Sequence, residues 1–484
     1  MAEAIRFLLN GVPRAVSDID PNTTVLEYLR VTERLCGTKE GCAEGDCGAC
    51  TVVLARPDGT GRLAYEPVNS CIQLLPTVDG KHLITVEGLK AADGSLHPVQ
   101  RAMVEAHGSQ CGFCTPGFVM SLFALWHRNK APTREETLQA LAGNLCRCTG
   151  YRPIIDAACA TPDGSPSDQF DATADATATA LAALGRDRGL AYFAGRNAFF
   201  APRSLAELAE ILRSYPNAVL LAGGTDLGLW ITKQHRRFAC IVSLGEVAEL
   251  RRVERGATHL EIGAGASWSA CADALAALHP SLEELLLRFA SVQIRNAATI
   301  GGNIANASPI GDGPPPLIAL GATVVLVGPQ GEREVAVEDF FLAYRRTALR
   351  AGEIVARIRI PIPDPAMKFA VWKVSKRFDQ DISAVCGAFA LRFVDGHIAS
   401  ARIAFGGMAA IPARAKLAEA ALAGEPWTLA AAQAAAAALD RDFVPITDMR
   451  ASRDYRARVA RNLLLRFYHE TAGAAPETRV RAYG

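Results

Sequence analysis

Apolar and polar positions along the first 90 residues predict a small mixed β-sheet with one helix. Residues 5–16 are apolar on both sides of Asn10-Gly11, a dipeptide that favours a two-residue hairpin turn. Apolar residues at 25, 26, 28 and 29 predict a short amphipathic helix over 24–30. Two further strands are predicted at 51–55 and 82–86.

From residue 86 to residue 160 the apolar period lengthens to that of helices. Thr115 and Pro116 suit the N-cap and the first residue of an apolar helix. Thr133 and Glu136 form a capping box, which opens another helix. The helices predicted from these signals cover residues 98–107, 117–127, 133–143 and 154–159.

Residues 161–190 lack apolar periodicity and are rich in Asp, Ala, Thr, Pro and Gly, which predicts a flexible linker. Strands and helices alternate beyond it. A proline-rich break then precedes a last region in which strands come before helices. The predicted domains are 1–85, 86–160, 191–365 and 366–484, with the linker at 161–190.

Composition describes a globular protein of several domains. Of the 484 residues, 50% are hydrophobic and 21% charged, and the net charge of +1 predicts no general affinity for nucleic acid or membranes. Residues 1–10 lack the basic and apolar regions of a signal peptide, which predicts a cytoplasmic protein. In that compartment the thirteen cysteines are expected to be metal ligands rather than disulfides.

Four cysteines near the start carry the most specific chemistry. Cys42, Cys47 and Cys50 are spaced C-x4-C-x2-C, and Cys71 follows after twenty further residues. This order matches the thiolate ligands of a plant-type [2Fe–2S] cluster. A zinc site or a disulfide-rich loop is the alternative, but zinc sites favour short C-x2-C pairs.

A second set of four cysteines lies in the helical region. Cys111, Cys114, Cys146 and Cys148 are spaced C-x2-C-x31-C-x-C, and a threonine and a predicted helix follow each pair. Two helix N-termini would therefore face an anionic core. Zinc is again the alternative, whereas a thioredoxin-type redox pair would need a βαβ setting that this helical region does not provide. The other five cysteines are expected to be small core residues, namely Cys36, Cys159, Cys240, Cys271 and Cys386.

Two loops contain a double glycine after an apolar segment: Gly223-Gly224 follows a strand predicted at 219–222, and Gly301-Gly302 follows the apolar residues from Phe289 onward. Backbone N–H groups at such turns can receive a pyrophosphate, although a plain tight turn is the alternative for either loop. Further polar groups for such a ligand are offered by Thr225, Thr299, Asn303, Ser308 and Asp312.

Two other segments are weaker signals. Residues 263–268 begin like the dinucleotide motif G-x-G-x-x-G, but Trp268 occupies the third glycine position, which excludes a Rossmann helix there. The polar segment 377–381 is either a mobile functional loop or a solvated turn.

Together these motifs resemble a known family. GCAEGDCGAC, GSQCGFCTPG and NLCRCTGY resemble the paired [2Fe–2S] module of the molybdenum hydroxylases. LLAGGTD, ATIGGNIANASPIGD and WKVSKRFDQDISAV resemble the FAD domain that this family shares with vanillyl-alcohol-oxidase-type flavoproteins. The domain order in one chain is most similar to that of the small subunits of bacterial xanthine dehydrogenases.

The resemblance implies an α+β multidomain fold with four parts. They are a β-grasp plant-type ferredoxin domain, a four-helix [2Fe–2S] domain, a PCMH-type (vanillyl-alcohol-oxidase-like) FAD domain, and a C-terminal α/β domain of CO-dehydrogenase-flavoprotein type. The first cluster would lie nearer the flavin and the second nearer the molybdenum. The FAD contacts implied by the resemblance are Val219, Leu220, Leu221, Ala222, Gly223, Gly224, Thr225, Asp226, Phe289, Ala298, Thr299, Ile300, Gly301, Gly302, Asn303, Ser308, Asp312, Val355 and Lys373.

The implied function is electron transfer. Hypoxanthine and xanthine would be oxidised to urate at the molybdopterin (Moco) centre of a separate large subunit, in a heterotetramer with two of each chain. Electrons would then pass through both clusters and FAD to NAD+, without a catalytic residue on this chain. The loop at 378–381 resembles one that borders the isoalloxazine ring and influences whether NAD+ or oxygen takes the electrons.

Two kinds of alternative stay open. The first is the same role with another substrate, namely an aldehyde, a nicotinate-like heterocycle or carbon monoxide. The second is a non-enzymatic iron–sulfur electron carrier or a zinc-stabilised interaction protein. A visible spectrum separates the second kind, because clusters and flavin absorb and zinc does not.

Overall fold

The computed structural model describes residues 3–160 and 167–473. The described residues fall into two compact units. One unit lies within Met1–Ala248 and Ser291–Ala298, and the other within Glu249–Ala290 and Thr299–Gly484.

The helices and strands follow in chain order. The first 89 residues contain strands β1 (Ile5–Leu9), β2 (Val12–Val16), β3 (Thr51–Pro57), β4 (Leu63–Asn69) and β5 (His82–Ile84) and helix α1 (Val25–Glu27). The next 100 contain α2 (Pro98–Glu105), α3 (Thr115–Arg128), α4 (Arg134–Leu141), α5 (Arg152–Cys159), α6 (Gln169–Ala172) and α7 (Ala174–Ala183). Then come β6 (Leu190–Ala194), β7 (Asn197–Ala201), α8 (Leu205–Ser214), β8 (Val219–Leu221), α9 (Leu227–Thr232) and β9 (Cys240–Ser243).

The remaining elements belong to the second half of the chain. They are β10 (Val253–Arg255), β11 (His259–Gly263), α10 (Trp268–Ala276), α11 (Pro280–Arg288), α12 (Val292–Ala297), α13 (Ile300–Ala305), α14 (Pro314–Ala319), β12 (Thr323–Gly328), β13 (Gly331–Ala336), α15 (Val337–Phe340), β14 (Phe341–Ala343), β15 (Arg346–Thr347) and β16 (Ile354–Pro361). The last are β17 (Lys368–Val374), β18 (Val385–Val394), β19 (His397–Gly406), β20 (Ala413–Arg414), α16 (Lys416–Ala420), α17 (Leu429–Asp442) and α18 (Arg453–Thr471).

In the first unit, the N-terminal sheet has the strand order β2-β1-β5-β3-β4, with β1 and β5 parallel. The predicted hairpin is confirmed: Asn10 and Gly11 both have positive φ, as a two-residue hairpin turn requires. Phe7 of the sheet packs edge-on against Tyr28 at 5.9 Å, which places the segment after α1 across the sheet. This mixed sheet with a crossing helix is the predicted ferredoxin-like arrangement.

The helical region is built around α3, whose middle ten residues are buried. The capping box at Thr133 and Glu136 is confirmed, since each side chain accepts from the other residue's backbone N–H. The prediction of Thr115 as an N-cap is wrong. Thr115 is the first helical residue and Cys114 is the N-cap, so the helix begins directly after a candidate ligand. Thr149 likewise lies before the N-cap of α5, which is Tyr151.

The prediction of a flexible linker is wrong for its described second part, because residues 169–183 form α6 and α7. Residues 161–166 lie outside the described residues. Phe170 is 8% exposed and packs against Phe123, with 4.9 Å between ring centroids. Two buried apolar residues, Phe170 and Leu181, thus hold a segment whose composition gives no apolar pattern.

Asp168 fixes the start of this docked segment. One of its carboxylate oxygens accepts from the N–H groups of Phe170 and Asp171, and the other accepts from His97 and His127 at 2.8 and 3.1 Å. Burial alone would raise the pKa of Asp168, but the histidine hydrogen bonds outweigh burial and hold this pKa well below its ordinary value. His97 Nδ1 accepts from the Val99 N–H, so Nε2 carries the proton and acts as a donor rather than as a metal ligand.

The second sheet of this unit has the order β6-β7-β9-β8. It shares one apolar core with the N-terminal sheet, in which Ile5, Phe7, Tyr192, Phe199 and Ile241 are fully buried. Helix α12 also belongs to this unit and lies along β4, where Asn296 Nδ2 donates to the Pro67 carbonyl at 2.9 Å.

The second unit contains a five-stranded sheet, a two-stranded sheet and a four-stranded sheet, with strand orders β10-β11-β16-β12-β13, β14-β15 and β17-β18-β19-β20. The C-terminal core is formed by the four-stranded sheet and α17 and α18, as the prediction of strands followed by helices requires. None of the described helices is both long and apolar enough to cross a membrane.

The docked segment yields a first prediction. Replacing Asp168→Ala removes the N-cap and leaves two buried histidines without their acceptor, so we expect residues 167–183 to detach at a cost of about 1–3 kcal/mol. Limited proteolysis should cut this segment faster in the variant. Asp175→Ala, an exposed change on α7, is the matched control, and equal cleavage of the two variants would contradict the role of Asp168.

Candidate cofactor-binding sites

The first cysteine set converges in one loop of the N-terminal sheet domain. Cys50 and Cys71 are almost fully buried, and their sulfurs lie 3.2 Å apart. Cys42 Sγ accepts from the N–H groups of Asp46 and Cys47, both at 3.3 Å. Backbone donors aimed at a sulfur favour the thiolate, which is the form that binds iron.

The pKa values of these thiols are shifted in opposite directions within the set. The hydrogen bond between Cys42 and Cys47 lowers the pKa of Cys42 and raises that of Cys47. Hydrogen bonds from Cys42 and Cys50 raise the pKa of Cys71. Such mutual bonding means that the four sulfurs form one chain of contacts, so the residues fit the four-thiolate ligand set of a [2Fe–2S] cluster.

Glycines make this loop possible. A Cβ on Gly41 would lie 2.8 Å from Cys47 Sγ, and Gly45 and Gly48 adopt positive φ. Ordinary residues at these positions would either fill the space beside the sulfurs or strain the backbone.

The second cysteine set is more open. A hydrogen bond from Cys111 raises the pKa of Cys148, while burial and a hydrogen bond with Cys146 raise the pKa of Cys114 to about 12. These contacts bring the predicted pairs together. Cys111 and Cys148 are exposed and Cys114 and Cys146 are half-buried, so one face of this site meets the surface of the chain.

The loops that carry the two sets are in direct backbone contact. The Leu145 N–H, next to Cys146, donates to the Cys47 carbonyl at 3.0 Å. The approach requires glycines, because a Cβ on Gly48 would lie 2.1 Å from the Gly143 carbonyl and one on Gly117 would lie 2.2 Å from the Gly48 carbonyl. The sequence analysis did not predict this contact, although all three glycines stand beside the motifs.

The first double-glycine loop follows a strand, β8, as predicted, and leads into α9, which was not predicted; the loop belongs to the first unit. The N–H groups of Gly223, Gly224 and Thr225 have no acceptor among the described residues. A Cβ on Gly223 would lie 1.9 Å from the Ala297 carbonyl, so only glycine permits this approach to Ala298. Three free donors in a turn fit the phosphate groups of a dinucleotide such as FAD.

Helix α9 brings this loop onto the first cysteine set, within the same unit. A Cβ on Gly228 would lie 2.8 Å from the carbonyl oxygen of Ile72, the residue after Cys71. Thr232 Oγ1 donates to the Ala43 carbonyl at 2.7 Å, and Lys233 Nζ donates to the Cys42 carbonyl. Neither Ile72 nor Thr232 carries a sequence signal for this contact.

The second double-glycine loop uses its N–H groups differently from the prediction. Thr299 is the N-cap of α13, and its Oγ1 accepts from the Gly302 N–H at 3.0 Å. The N–H groups of Ile300 and Gly301 donate to the Ala266 and Ala264 carbonyls. The N–H groups of Ile300, Gly301 and Gly302 are therefore not free. They bond to the Thr299 side chain and to the backbone carbonyls of Ala264 and Ala266.

Polar atoms of the second unit lie near this helix without partners. Asn303 Oδ1 and Trp268 Nε1 are buried and have no hydrogen bond in the described part of the chain. A Cβ on Gly313 would lie 2.5 Å from Asn303 Oδ1 and 2.9 Å from the Trp268 ring. Trp268 also packs against Phe289, with 4.9 Å between centroids. These atoms fit a polar cofactor, and Trp268 was missed because the sequence showed it only as a departure from a motif.

Asp312 and Lys373 are brought together rather than left free. Lys373 Nζ lies 2.6 Å from Asp312 Oδ2, and Ser383 Oγ donates to Asp312 Oδ1 at 2.5 Å. Lys373 is 3% and Asp312 4% exposed. The carboxylate thus has two partners within the chain, and its contact with a sugar hydroxyl stays a prediction.

The other predicted positions have contacts that are typical of a core strand or of a loop. Val355 lies in β16 in the centre of its sheet and is buried, as a core residue would be. Ser308 Oγ accepts from the Ile310 N–H. In the loop at 377–381, Arg377 pairs with Asp381 at 2.6 Å, and Arg288 donates to the Phe378 carbonyl at 2.9 Å.

The five remaining cysteines divide by burial. Cys271 and Cys386 are buried, and burial raises the pKa of both thiols, that of Cys271 to about 12. The prediction of core residues holds for these two. It is wrong for Cys36 and Cys159, which are exposed, while Cys240 is half-buried.

Comparisons with known proteins match four families along the chain. Residues 7–72 match the 2Fe-2S iron-sulfur cluster binding domain and residues 85–159 the [2Fe-2S] binding domain. Residues 193–363 match the FAD binding domain in molybdopterin dehydrogenase, and residues 370–471 the CO dehydrogenase flavoprotein C-terminal domain. The fold class predicted from the resemblance is confirmed.

Curated relatives include xanthine dehydrogenases. The xanthine dehydrogenase of Emericella nidulans is 35% identical over 97% of this chain, and xanthine dehydrogenase 1 of Arabidopsis thaliana is 33% identical over 91%. This chain spans 38% of the length of each of these relatives.

Solved structures resemble somewhat more than half of the chain. A carbon monoxide dehydrogenase chain from Hydrogenophaga pseudoflava is 32% identical with a TM-score of 0.53, and the match covers 56% of this chain and 96% of that one. A chain of quinoline 2-oxidoreductase from Pseudomonas putida 86 is 29% identical, also with a TM-score of 0.53, and covers 58% of this chain and 99% of that one.

The contact between the cysteine loops is testable with Gly117→Ala. The added Cβ would meet the Gly48 carbonyl, so we expect a destabilisation of about 1–3 kcal/mol and iron loss from one or both sites. Thermal unfolding and iron content are the measurements. Gly245→Ala is the matched control, because its Cβ has only an ordinary contact at 3.6 Å, and equal behaviour of the two variants would contradict the prediction.

The buried ion pair gives a further prediction. Lys373→Met leaves the Asp312 carboxylate buried without its counter-charge, which should destabilise the second unit by about 3–5 kcal/mol. Adding Asp312→Asn should recover part of the loss. Calorimetry of both variants measures this coupling, with Lys376→Met as an exposed control, and a single variant as stable as the control would contradict it.

Proposed function

The chain belongs to the molybdenum hydroxylase family, as its iron–sulfur and flavin portion, and on that basis we propose that it is the electron-transfer part of a xanthine dehydrogenase. In this proposal hypoxanthine and xanthine are oxidised to urate at a molybdopterin centre, and the electrons pass through this chain to NAD+. Identities of 33–35% to named xanthine dehydrogenases over most of the chain support the choice of substrate.

The observation that carries the proposal is the direct contact between two four-cysteine sites. Cys47 belongs to the first ligand set, and the Leu145 N–H that binds its carbonyl precedes Cys146 of the second. Bound clusters supply one-electron steps, and FAD accepts single electrons and releases two together as a hydride. The chain's own part is to hold these groups at fixed distances and to tune their surroundings.

Exposure suggests the direction of electron flow. Cys111 and Cys148 are exposed, so the helical site is the one that an electron donor outside this chain can approach. The first set is covered by α9, whose N-terminus follows the Gly223–Thr225 donors. We therefore assign entry to the helical site and exit to the flavin side.

The partner in the proposal is a large subunit that holds the molybdopterin, in an assembly with two of each chain. Known proteins show both arrangements, a separate chain and a part of a longer chain. In the Hydrogenophaga enzyme one chain corresponds almost entirely to part of this chain, whereas in the Emericella enzyme the matching region is 38% of a longer chain. A cytoplasmic location and NAD+ as acceptor, with the loop at 378–381 bordering the flavin, complete the proposal.

Co-purification with the polypeptide encoded beside this chain tests the function. We expect about four iron atoms and one FAD per chain, molybdenum in the complex, and NAD+ reduction driven by xanthine. Activity confined to an aldehyde, a nicotinate-like heterocycle or carbon monoxide would replace the substrate. A colourless protein that contains zinc, or one without flavin, would overturn the proposal.

Ligand variants sharpen this test. Cys47→Ser and Cys114→Ser should each remove one of two distinguishable cluster signals in the EPR spectrum and abolish electron flow from xanthine to NAD+. Cys36→Ser and Cys159→Ser are matched controls, because both thiols are exposed and lie outside the two ligand sets. Unchanged spectra in the ligand variants would contradict the assignment.

A further inference from the structure

Gln293 stands at the meeting point of three segments of the first unit. It lies on α12 and is 1% exposed. Its Nε2 lies within hydrogen-bond distance of three acceptors, namely Thr51 Oγ1 at 3.3 Å, Ser121 Oγ at 3.1 Å and Asn144 Oδ1 at 3.0 Å. Thr51 follows Cys50, Ser121 lies on α3, and Asn144 comes two residues before Cys146.

The hydrogen bonds of this network converge on the Gly48 carbonyl, inside the first cysteine loop. Thr51 Oγ1 donates to this carbonyl at 2.6 Å, and Asn144 Nδ2 donates to it at 3.2 Å. Ser121 Oγ donates to Asn144 Oδ1 at 2.7 Å, so the Asn144 oxygen accepts from both Ser121 and Gln293. These two donors orient the Asn144 amide with its Nδ2 toward Gly48.

Holding the Gly48 carbonyl also orients the next N–H group. In a planar trans peptide the C=O of Gly48 and the N–H of Ala49 point to opposite sides. The carbonyl accepts from Thr51 and Asn144, so the Ala49 N–H points to the opposite side of this peptide, which lies between the ligands Cys47 and Cys50.

Stability alone does not explain a glutamine at this position. Gln293 Oε1 is buried and has no partner in the described part of the chain, and a buried acceptor left unpaired is unfavourable. Room for it comes from Gly143, because a Cβ there would lie 2.0 Å from this oxygen. A leucine would fill similar space without the unpaired oxygen.

We propose that Gln293 is a positioning residue that tunes the reduction potential of the cluster held by Cys42, Cys47, Cys50 and Cys71, by fixing the Gly48–Ala49 peptide through Asn144 and Thr51. The inference rests on the proposed function, since it takes this cysteine set to hold a [2Fe–2S] cluster. Helix α12, which belongs to the same unit as this cysteine set, thereby adjusts the cluster.

The expected consequence follows from the charge of the cluster. N–H groups aimed at the ligand sulfurs stabilise the more negative, reduced form and raise the potential. In Gln293→Leu the Asn144 amide keeps only the Ser121 donor, and the Gly48–Ala49 peptide becomes freer to rotate. The fold should persist, because Asn144 Oδ1 still accepts from Ser121 and Thr51 Oγ1 still donates to Gly48.

The experiment is an EPR-monitored redox titration of the purified complex that contains Gln293→Leu. We expect the first cluster to become harder to reduce by a factor of roughly three in its equilibrium, which is about 30 mV for a one-electron couple. The helical cluster should keep its potential, since the Cys146 N–H donates to Tyr151 Oη and not to the network. Gln139→Leu on α4 is the matched control, and its Nε2 donates only weakly, at 3.5 Å, to Glu135.

A second variant and a second measurement test the same proposal independently. Thr51→Val removes the shortest donor to Gly48 and should shift the same potential in the same direction. Hydrogen exchange in protein without iron should show faster exchange at the Leu145 amide in Gln293→Leu than in Gln139→Leu, because this amide donates to Cys47 next to Gly48.

The outcomes separate this inference from the function on which it rests. Complexes without iron would overturn the proposed function. Loaded Gln293→Leu with both potentials unchanged, or with both shifted equally, would overturn the inference alone, since Gln293 would then act only in packing. A negative shift confined to the first cluster supports it.

Discussion

In the described part of the first unit, the two cysteine-bearing loops touch through their backbones. Larger side chains at the points of contact would prevent this approach. Gly48, Gly117 and Gly143 leave the space for this contact, and a Cβ on Gly48 or Gly117 would overlap a carbonyl oxygen. The Cys47 carbonyl and the Leu145 N–H then bond directly. Because protein interiors are close-packed and do not deform continuously, such a contact fixes the spacing of both sites at once.

Apolar packing holds the parts together, whereas buried polar groups set their register. The shared core of Ile5, Tyr192 and Phe199 stabilises the packing of the two sheets but does not fix their exact orientation, since hydrophobic stabilisation depends on buried area and is not directional. The amides of Asn144 and Gln293, in contrast, are satisfied in few orientations. In the second unit the ion pair of Lys373 and Asp312 has the same character, because either partner alone would be a buried, uncompensated charge.

Local signals predicted local structure well. The hairpin at Asn10-Gly11, the capping box at Thr133 and the strand before Gly223 are where the sequence places them, since each depends on neighbours within a few residues. The prediction of a flexible linker, which was made from composition, failed at residues 167–183. Asp168 and Phe170 hold this segment against residues distant in sequence. The N-cap at Thr115 failed by one residue, as helix ends commonly do.

The sequence by itself determined which thiols are available and at what spacing, and it marked two glycine turns as candidates for binding a phosphate. Residue type and short-range spacing suffice for this, because most ligands of such a cluster lie close together in the sequence. Only the tertiary structure decided that the Gly223 loop keeps free N–H groups while the Gly301 loop does not, that Asp312 is paired, and that Gln293 reaches both cysteine domains. Those outcomes depend on contacts between residues tens to hundreds of positions apart, which no local pattern records.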